Sequence, residues 1–151
     1  HVFVGDDWVQ HAMVGAGTAR VYSRANESRC AEPLLAGEAS ARSAKRGLWT
    51  LSHYRLRTPE ELDPDIGTFQ IVEGKVAAVA LRRGRVYVNF GDDYRTDFTV
   101  TIAPAVVRRL AKEGIDPSSW AGKKVRVRGW LSRLNGPELE LTHAAQIQIL
   151  E

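Results

Sequence analysis

The chain has 151 residues, of which 44% are hydrophobic and 26% are charged, values close to those of an average globular protein. This composition excludes an intrinsically disordered chain and a collagen-like repeat, and no apolar run approaches the roughly 18 residues that a membrane-spanning helix needs. A single cysteine, Cys30, excludes a disulfide framework within the chain.

The net charge of +3 is unevenly distributed along the chain. Residues 1–58 contain eight lysines and arginines against five acids, whereas residues 59–151 contain thirteen of each. Four of those thirteen acids are Glu60, Glu61, Asp63 and Asp65, and without them the second part has a net charge of +4. A basic excess of this size is well below that of a protein that coats nucleic acid.

The first residues alternate between strand-like and helical patterns. Residues 2–4 predict a strand that is already in progress at the start of the chain, which favours a fragment of a longer protein. A turn follows, and Asp7 is a candidate cap for a helix over residues 8–16, with Trp8 and Met13 on its apolar face. Residues 18–22 predict a short strand and residues 23–29 a polar loop.

The clearest helical pattern covers residues 30–46. Pro33 fits only the first turn of a helix, Lys45 and Arg46 suit the negative end of the helix dipole, and Gly47 is a candidate C′ residue. Residues 51–66 have no sustained periodicity and contain two prolines and the acidic cluster, so we interpret them as a linker with a short helical turn near residues 59–62.

Residues 67–151 are predicted to be mostly β-structure. Alternating patterns predict strands over residues 69–81 with a bend near Gly74, 85–90, 97–102, 124–134, 138–142 and 146–150. A helix is predicted between Pro104 and Gly114, and Asn135-Gly136 indicates a type I′ hairpin turn. The order β-β-β-α-β-β is typical of the OB-fold, a five-stranded Greek-key barrel that binds oligonucleotides and oligosaccharides.

Several stretches of the first third of the chain resemble a known family. They are VQHAMVGAGTARVY at residues 9–22, LLAGEASAR at 34–42 and RGLW at 46–49. In this order they resemble the C-terminal part of the staphylococcal-nuclease-like (thermonuclease) domain. Residues 89–92, 97–100 and 127–130 resemble a β-rich tail that follows this domain in some bacterial members.

The resemblance implies a calcium-dependent phosphodiesterase as the parent protein. In that family, carboxylates hold the metal, a glutamate acts as general base and two arginines bind the phosphate. Nearly all of these residues lie upstream of the strand that residues 2–4 match, so we expect no catalytic and no metal-ligating residue in this chain. The resemblance is compatible with an exported or periplasmic location.

One binding position is implied by the resemblance. The family has tyrosines near the substrate in the strand that Tyr22 matches. Its second tyrosine is Arg24 here, a residue that could contact a phosphate instead. The carboxylates of Asp92, Asp93 and Asp97 do not have the alternate spacing of a calcium loop, and we interpret them as turn residues.

Two groups of basic residues are candidates for nucleic-acid binding in the β-rich part. Lys124, Arg126 and Arg128 share one side of a predicted strand. Arg82, Arg83 and Arg85 flank a predicted hairpin. Tyr87 and Asn89 share a face with Arg85, next to Thr99 and Thr101. Cations beside an aromatic ring suit single-stranded nucleic acid, because phosphates bind the cations and bases stack on the ring. The alternative is a solvated barrel exterior, with Glu138 and Glu140 neutralising the arginines.

The sequence therefore predicts an α+β chain. It would consist of a helix-and-strand remnant of a thermonuclease-like domain over residues 1–50, a linker over 51–66, and a five-stranded OB-like β-barrel with one helix over 67–151. Three functions follow. The chain is a non-catalytic fragment of a nuclease, a module that binds single-stranded DNA, RNA or another polymer, or a structural protein that docks on the missing part of the nuclease domain or on a partner chain.

Overall fold

The structure is a computed structural model that describes residues 1–25 and 30–150. The chain divides into two compact units, His1–Arg55 and Leu56–Glu151. Residues 26–29 of the predicted polar loop lie outside the described residues. Within the described ranges no helix is long and apolar enough to cross a membrane.

The first unit begins with a small hairpin. Strands β1 (Phe3–Val4) and β2 (Asp7–Trp8) are antiparallel, and helix α1 (Val9–Gly15) follows directly. The predicted helix cap at Asp7 is wrong, because Asp7 pairs with Val4 and α1 begins after Trp8 without a side-chain cap. The predicted apolar face is also wrong, since Val14 is buried and Met13 is 45% exposed.

The predicted strand at residues 18–22 does not form. The N–H of buried Val21 donates to the carboxylate Oε1 of Glu38 at 2.8 Å, so a side chain takes the place of a neighbouring strand. Glu38 lies on helix α2 (Ala31–Ser43), where it is itself fully buried and pairs with Arg42 at 3.5 Å. This carboxylate fixes the 18–22 segment on α2.

Helix α2 ends at Ser43, three residues earlier than the sequence predicts. The N–H of Arg46 donates to the carbonyl of Ala41, and that of Lys45 to the carbonyl of Arg42. This is a Schellman ending in which Lys45, with φ +50°, takes the C′ position predicted for Gly47.

Gly47 instead makes a close backbone contact with Gly17, just after α1. Gly17 has φ +74° and Gly47 φ +53°, and the N–H of Leu48 donates to the carbonyl of Gly17 at 2.8 Å. A Cβ atom on Gly17 would overlap the carbonyl of Arg46, and one on Gly47 would overlap the carbonyl of Gly17. The ends of α1 and α2 therefore approach closely only because both residues are glycine.

The second unit includes most of the predicted linker. The structure places residues 56–66 against the sheet: Arg57 exchanges backbone hydrogen bonds with Ile71 and Glu73, and its Nε donates to Asp65 at 2.7 Å. Leu62 is fully buried in the core. A short 3₁₀ turn at Pro59–Glu61 lies where the sequence predicts a helical turn, and a second one at Asp63–Asp65 follows it.

The remaining elements follow the predicted strands and helix, except that the first predicted strand is divided into two. The strands are β3 (Phe69–Lys75), β4 (Ala78–Arg82), β5 (Arg85–Asn89), β6 (Thr99–Ile102), β7 (Lys124–Leu134), β8 (Gly136–Glu140) and β9 (Ile147–Ile149), with helix α3 (Pro104–Lys112) between β6 and β7. Strands and helices thus occur together, as an α+β chain requires.

The sheet closes on itself. Its order is β3-β7-β8-β6-β5-β4, in which β6 and β8 are parallel and the other neighbours antiparallel, and β9 adds to β7. Strands β3 and β4 are two halves of one long stretch that bends at Val76 and Ala77, two residues after the predicted position. Since the two ends of the order lie on one stretch of chain, the sheet forms a barrel.

The interior of the barrel is apolar. Its fully buried members include Val88, Val100 and Leu139 from neighbouring strands. Leu110 of α3 and Trp120 join the same core, so the helix covers one end of the barrel. Burial of alternate strand residues leaves the intervening side chains on the outer surface.

The turn between β7 and β8 differs from the prediction. Leu134 pairs with Gly136, so Asn135 alone occupies the turn, with φ +66°. A type I′ turn needs two central residues with positive φ, and Gly136 is not among the residues with positive φ.

Substitution of Gly17 tests the close contact in the first unit. We expect Gly17→Ala to lower the free energy of unfolding by about 1–3 kcal/mol, the cost of a strained backbone conformation. Gly15→Ala is the matched control, because Gly15 lies in α1 with open space around it. Urea unfolding of both full-length variants measures the difference, and equal stabilities would contradict the contact.

His143 predicts a pH dependence of stability. It is buried beside α3, where burial and the positive charge of Arg109 lower its pKa below the ordinary 6.5, against an opposing effect of Glu113. The unfolded chain binds a proton at this histidine more readily than the folded chain does. The contribution of neutral His143 to the free energy of unfolding is therefore complete above pH 6.5 and is lost as pH falls below that value. Urea unfolding from about pH 8 to about pH 5 should show this loss, which His143→Gln should reduce. The same change at exposed His53 should leave it intact.

Candidate functional site

A cleft of about 450 Å³ lies on the outer face of the barrel. Strands β4, β5 and β6 form its floor, and the 91–97 loop and the β7–β8 turn form its walls. The residues that line it are Ala80, Arg82, Tyr87, Asn89, Tyr94, Thr99, Leu134 and Asn135. We call this the tyrosine cleft, after Tyr87 and Tyr94.

The strand register brings the floor residues together. Tyr87 lies directly opposite Ala80 of β4 and Thr101 of β6. Asn89, two residues along, lies opposite Thr99, whose hydroxyl donates to the Asn89 Oδ1 at 3.2 Å.

Tyr94 is held at the cleft by the carboxylates of its own loop. The Asp97 Oδ2 accepts from the N–H of Asp93 at 2.7 Å, and the Asp93 Oδ1 accepts from the N–H of Arg95 at 3.0 Å. The guanidinium of Arg95 lies 5.6 Å from the centre of the Tyr94 ring. The loop is thus a folded turn that presents an exposed tyrosine.

These carboxylates do not fit a calcium site. Asp93 and Asp97 point oxygens at backbone N–H groups, whereas calcium needs several oxygens that converge on one point. Across residues 1–25 and 30–150, no three His, Cys, Asp or Glu side chains are grouped in a way that could hold a metal ion.

Glu138 approaches the cleft floor from β8. Its two carboxylate oxygens accept from the hydroxyls of Thr101 at 2.7 Å and Ser132 at 2.9 Å. Both partners are uncharged. In the described part of the chain Glu138 therefore does not neutralise the arginines, whereas the alternative interpretation predicted that it would.

Three arginines occupy the end of the β4–β5 hairpin. Arg82 and Arg85 are direct cross-strand partners, and Arg83 lies in the turn between them with φ +50°. Arg82 also lines the tyrosine cleft. Among the described residues none of the three forms an ion pair. We call Arg82, Arg83 and Arg85 the arginine tip.

The basic residues of β7 have a different environment. Arg126 donates through Nε to Glu73 of β3 at 2.7 Å, and Lys124 lies 4.0 Å from the same carboxylate. Arg128 is only 2% exposed, among the strands that β7 joins. Glu73 supplies the negative charge that the sequence interpretation assigned to Glu138 and Glu140.

Tyr22 and Arg24 belong to the first unit. Tyr22 is 58% exposed and lines a separate cleft of about 350 Å³ with residues that include Gln10, Cys30 and Leu34. Arg24 is exposed. The structure therefore brings Arg83, Arg85 and Tyr87 close together, and it places Lys124, Arg126 and Arg128 on another strand and Tyr22 and Arg24 in another unit.

Four lining residues were missed as site residues by sequence reasoning: Ala80, Tyr94, Leu134 and Asn135. For Ala80 a signal was available, because a hairpin centred on residues 83–84 places residue 80 opposite Tyr87. Tyr94 and Asn135 lie in a loop and a turn, and Leu134 is the last residue of β7, so no periodicity indicates the direction of their side chains.

Comparison with solved structures gives distant similarities. The chain is similar over 67% of its length to the aspartyl-tRNA synthetase from Entamoeba histolytica, with 13% identity and a TM-score of 0.46. It is similar over 62% to the asparaginyl-tRNA synthetase from Pyrococcus horikoshii, with 17% identity and a TM-score of 0.42. The matched regions span 22% of each synthetase chain.

A third similar structure is the OBody AM3L09 bound to hen egg-white lysozyme, with 19% identity, a TM-score of 0.43 and coverage of 60% of this chain and 90% of that chain. No curated protein sequence matches the chain. A family model matches residues 1–51, and its description is staphylococcal nuclease homologue. This match over the N-terminal third of the chain confirms the resemblance predicted from residues 9–49.

Proposed function

We propose that the second unit is an OB-like barrel that binds single-stranded nucleic acid in the tyrosine cleft. The observation that supports this most is the combination in one cleft of two tyrosine rings with Arg82, whose neighbours in the hairpin are Arg83 and Arg85. None of the three arginines has an ion-pair partner among the described residues. OB-folds bind oligonucleotides on this same face, formed by the second and third strands and the adjoining loops.

Stacking on Tyr87 and Tyr94 supplies the sequence-independent part of the binding energy. Each base that stacks on an aromatic ring contributes about 1–3 kcal/mol. Tyr87 is half-buried and held by its strand neighbours, so its ring is already oriented before a base arrives. A single strand fits this arrangement, whereas a duplex keeps its bases stacked on one another.

The arginine tip supplies charge for the phosphates. Arg82 lines the cleft, and its register partner Arg85 and the turn residue Arg83 follow at the end of the hairpin. A guanidinium presents several N–H donors to phosphate oxygens. Asn89 and Asn135 add amide groups that can bond to base edges. Lys124, Arg126 and Arg128 are not needed for this interface.

The family similarity of residues 1–51 supports an evolutionary relation to nucleases, and we propose that this chain binds rather than cleaves. The carboxylates of Asp93 and Asp97 accept hydrogen bonds from backbone N–H groups of the 91–97 loop and thereby stabilise that loop. We accordingly assign no catalytic residue, and calcium belongs to the parent activity that the resemblance implies.

Replacement of Tyr87 tests the stacking interaction. Tyr87→Leu should weaken binding of labelled oligothymidylate by about 5- to 150-fold, which corresponds to the loss of about 1–3 kcal/mol, and Tyr87→Phe should retain binding. Fluorescence anisotropy of the full chain at constant salt measures both affinities. The matched control is Trp130→Leu, because Trp130 is an exposed ring on β7 that does not line the cleft. Equal effects of the Tyr87→Leu and Trp130→Leu variants would contradict the proposal.

Incubation with calcium tests the absence of cleavage. Labelled single-stranded DNA and RNA should remain intact in the presence of the chain and Ca²⁺. Gel analysis of the products measures this directly. Cleavage that disappears in an Asp97→Asn variant would show that the 91–97 carboxylates act as a metal site, against the proposal.

A further inference from the structure

We infer that the arginine tip binds the terminal phosphomonoester of a single strand whose adjoining bases lie in the tyrosine cleft. The inference rests on the proposed function and adds the chemical group that the site recognises. Its ligand is a phosphate group that carries close to two negative charges, at the end of a chain rather than within it.

The first argument is the like-charge pair across the hairpin. Arg82 and Arg85 are opposite each other in the register of β4 and β5, so their side chains leave the same face of the sheet. Like charges directly opposite each other destabilise a strand pair. Arg83 adds a third positive charge in the turn, and no carboxylate of the described residues forms an ion pair with any of the three. An anion bound between the guanidiniums removes this repulsion.

The second argument is the charge and the number of oxygens that the site can satisfy. A phosphodiester within a strand has one negative charge and two free oxygens. A terminal phosphomonoester has about 1.5–2 negative charges near pH 7 and three acceptor oxygens. Two opposed guanidiniums with a third beside them offer more donors and more charge than one diester can use.

The third argument is position. Arg82 and Arg85 form the last register pair of the hairpin, and the turn residues Arg83 and Gly84 follow immediately. A Cβ atom on Gly84 would lie 3.4 Å from Pro104, so this turn packs against the first residue of α3. The positive end of the helix dipole adds to the charge there. The floor of the cleft ends at this hairpin. The end of a nucleic-acid strand bound in the cleft would therefore also lie here.

The test compares three forms of one short oligothymidylate with the full chain: a 5′-phosphate, a 3′-phosphate and no terminal phosphate. Anisotropy with an internal label at constant salt measures the dissociation constants. We expect one phosphorylated form to bind about tenfold or more tightly than the unphosphorylated form, as charge-assisted hydrogen bonds imply. The preferred end gives the direction of the strand in the cleft.

Arginine substitutions test whether the arginine tip causes the tighter binding of the phosphorylated oligonucleotide. Arg82→Ala and Arg85→Ala should each reduce the advantage of the phosphorylated oligonucleotide at least severalfold. Arg108→Ala should retain it, because Arg108 is an exposed arginine of α3 that does not line the cleft. Thermal unfolding of each variant confirms folding, and loss of one member of the like-charge pair should leave the midpoint unchanged or higher.

The outcomes separate the two proposals. Equal binding of all three forms, with loss of affinity in Tyr87→Leu, overturns the inference and leaves the proposed function in place. An advantage of the phosphorylated form that persists in an Arg82→Ala/Arg85→Ala double variant also overturns the inference. Absence of binding by every form at low salt overturns the proposed function itself.

Discussion

Closure of the barrel depends on the parallel pairing of β6 with β8. These strands are far apart in sequence, and between them lie α3 and the long strand β7. Their pairing joins the β4–β5–β6 meander to the β7–β8 hairpin, and the bend at Val76 and Ala77 then lets one stretch of chain complete both edges. Once the interior is filled by alternate residues of each strand, the outward face of β4, β5 and β6 is fixed, and with it the positions of Tyr87, Asn89 and Arg82.

The basic residues of the barrel have two kinds of environment. On β7, Arg126 and Lys124 share the carboxylate of Glu73, and Arg128 is buried, so these cations belong to the structure of the sheet. On the β4–β5 hairpin, three arginines lie together without such a partner among the described residues. An exposed ion pair contributes little to stability, but an unpaired cluster of one sign attracts an anion. This difference directs the functional interpretation to the hairpin rather than to β7.

The first unit shows a different constraint, a close contact between two glycines. Gly17 and Gly47 allow the ends of α1 and α2 to approach, and Glu38 replaces a strand partner for Val21. Sequence patterns predicted both helices, because their composition and Pro33 act within a few residues. They did not predict that Lys45 would form the helix ending or that Asp7 would lie in a strand. Both outcomes rest on backbone hydrogen bonds three to five residues apart, which side-chain periodicity does not reveal.

The sequence by itself determined the alternation of strands in the second unit, the helix between Pro104 and Gly114, and the similarity of residues 1–51 to staphylococcal nuclease homologues. These follow from periodicity and local backbone preferences, which are properties of neighbouring residues. Only the tertiary structure decided which basic residues are neutralised, that Leu62 of the predicted linker is a core residue, and that Tyr94 and Asn135 join Tyr87 in one cleft. The physical reason is that burial and charge pairing are set by strand register and chain closure, which bring together residues that no local pattern connects.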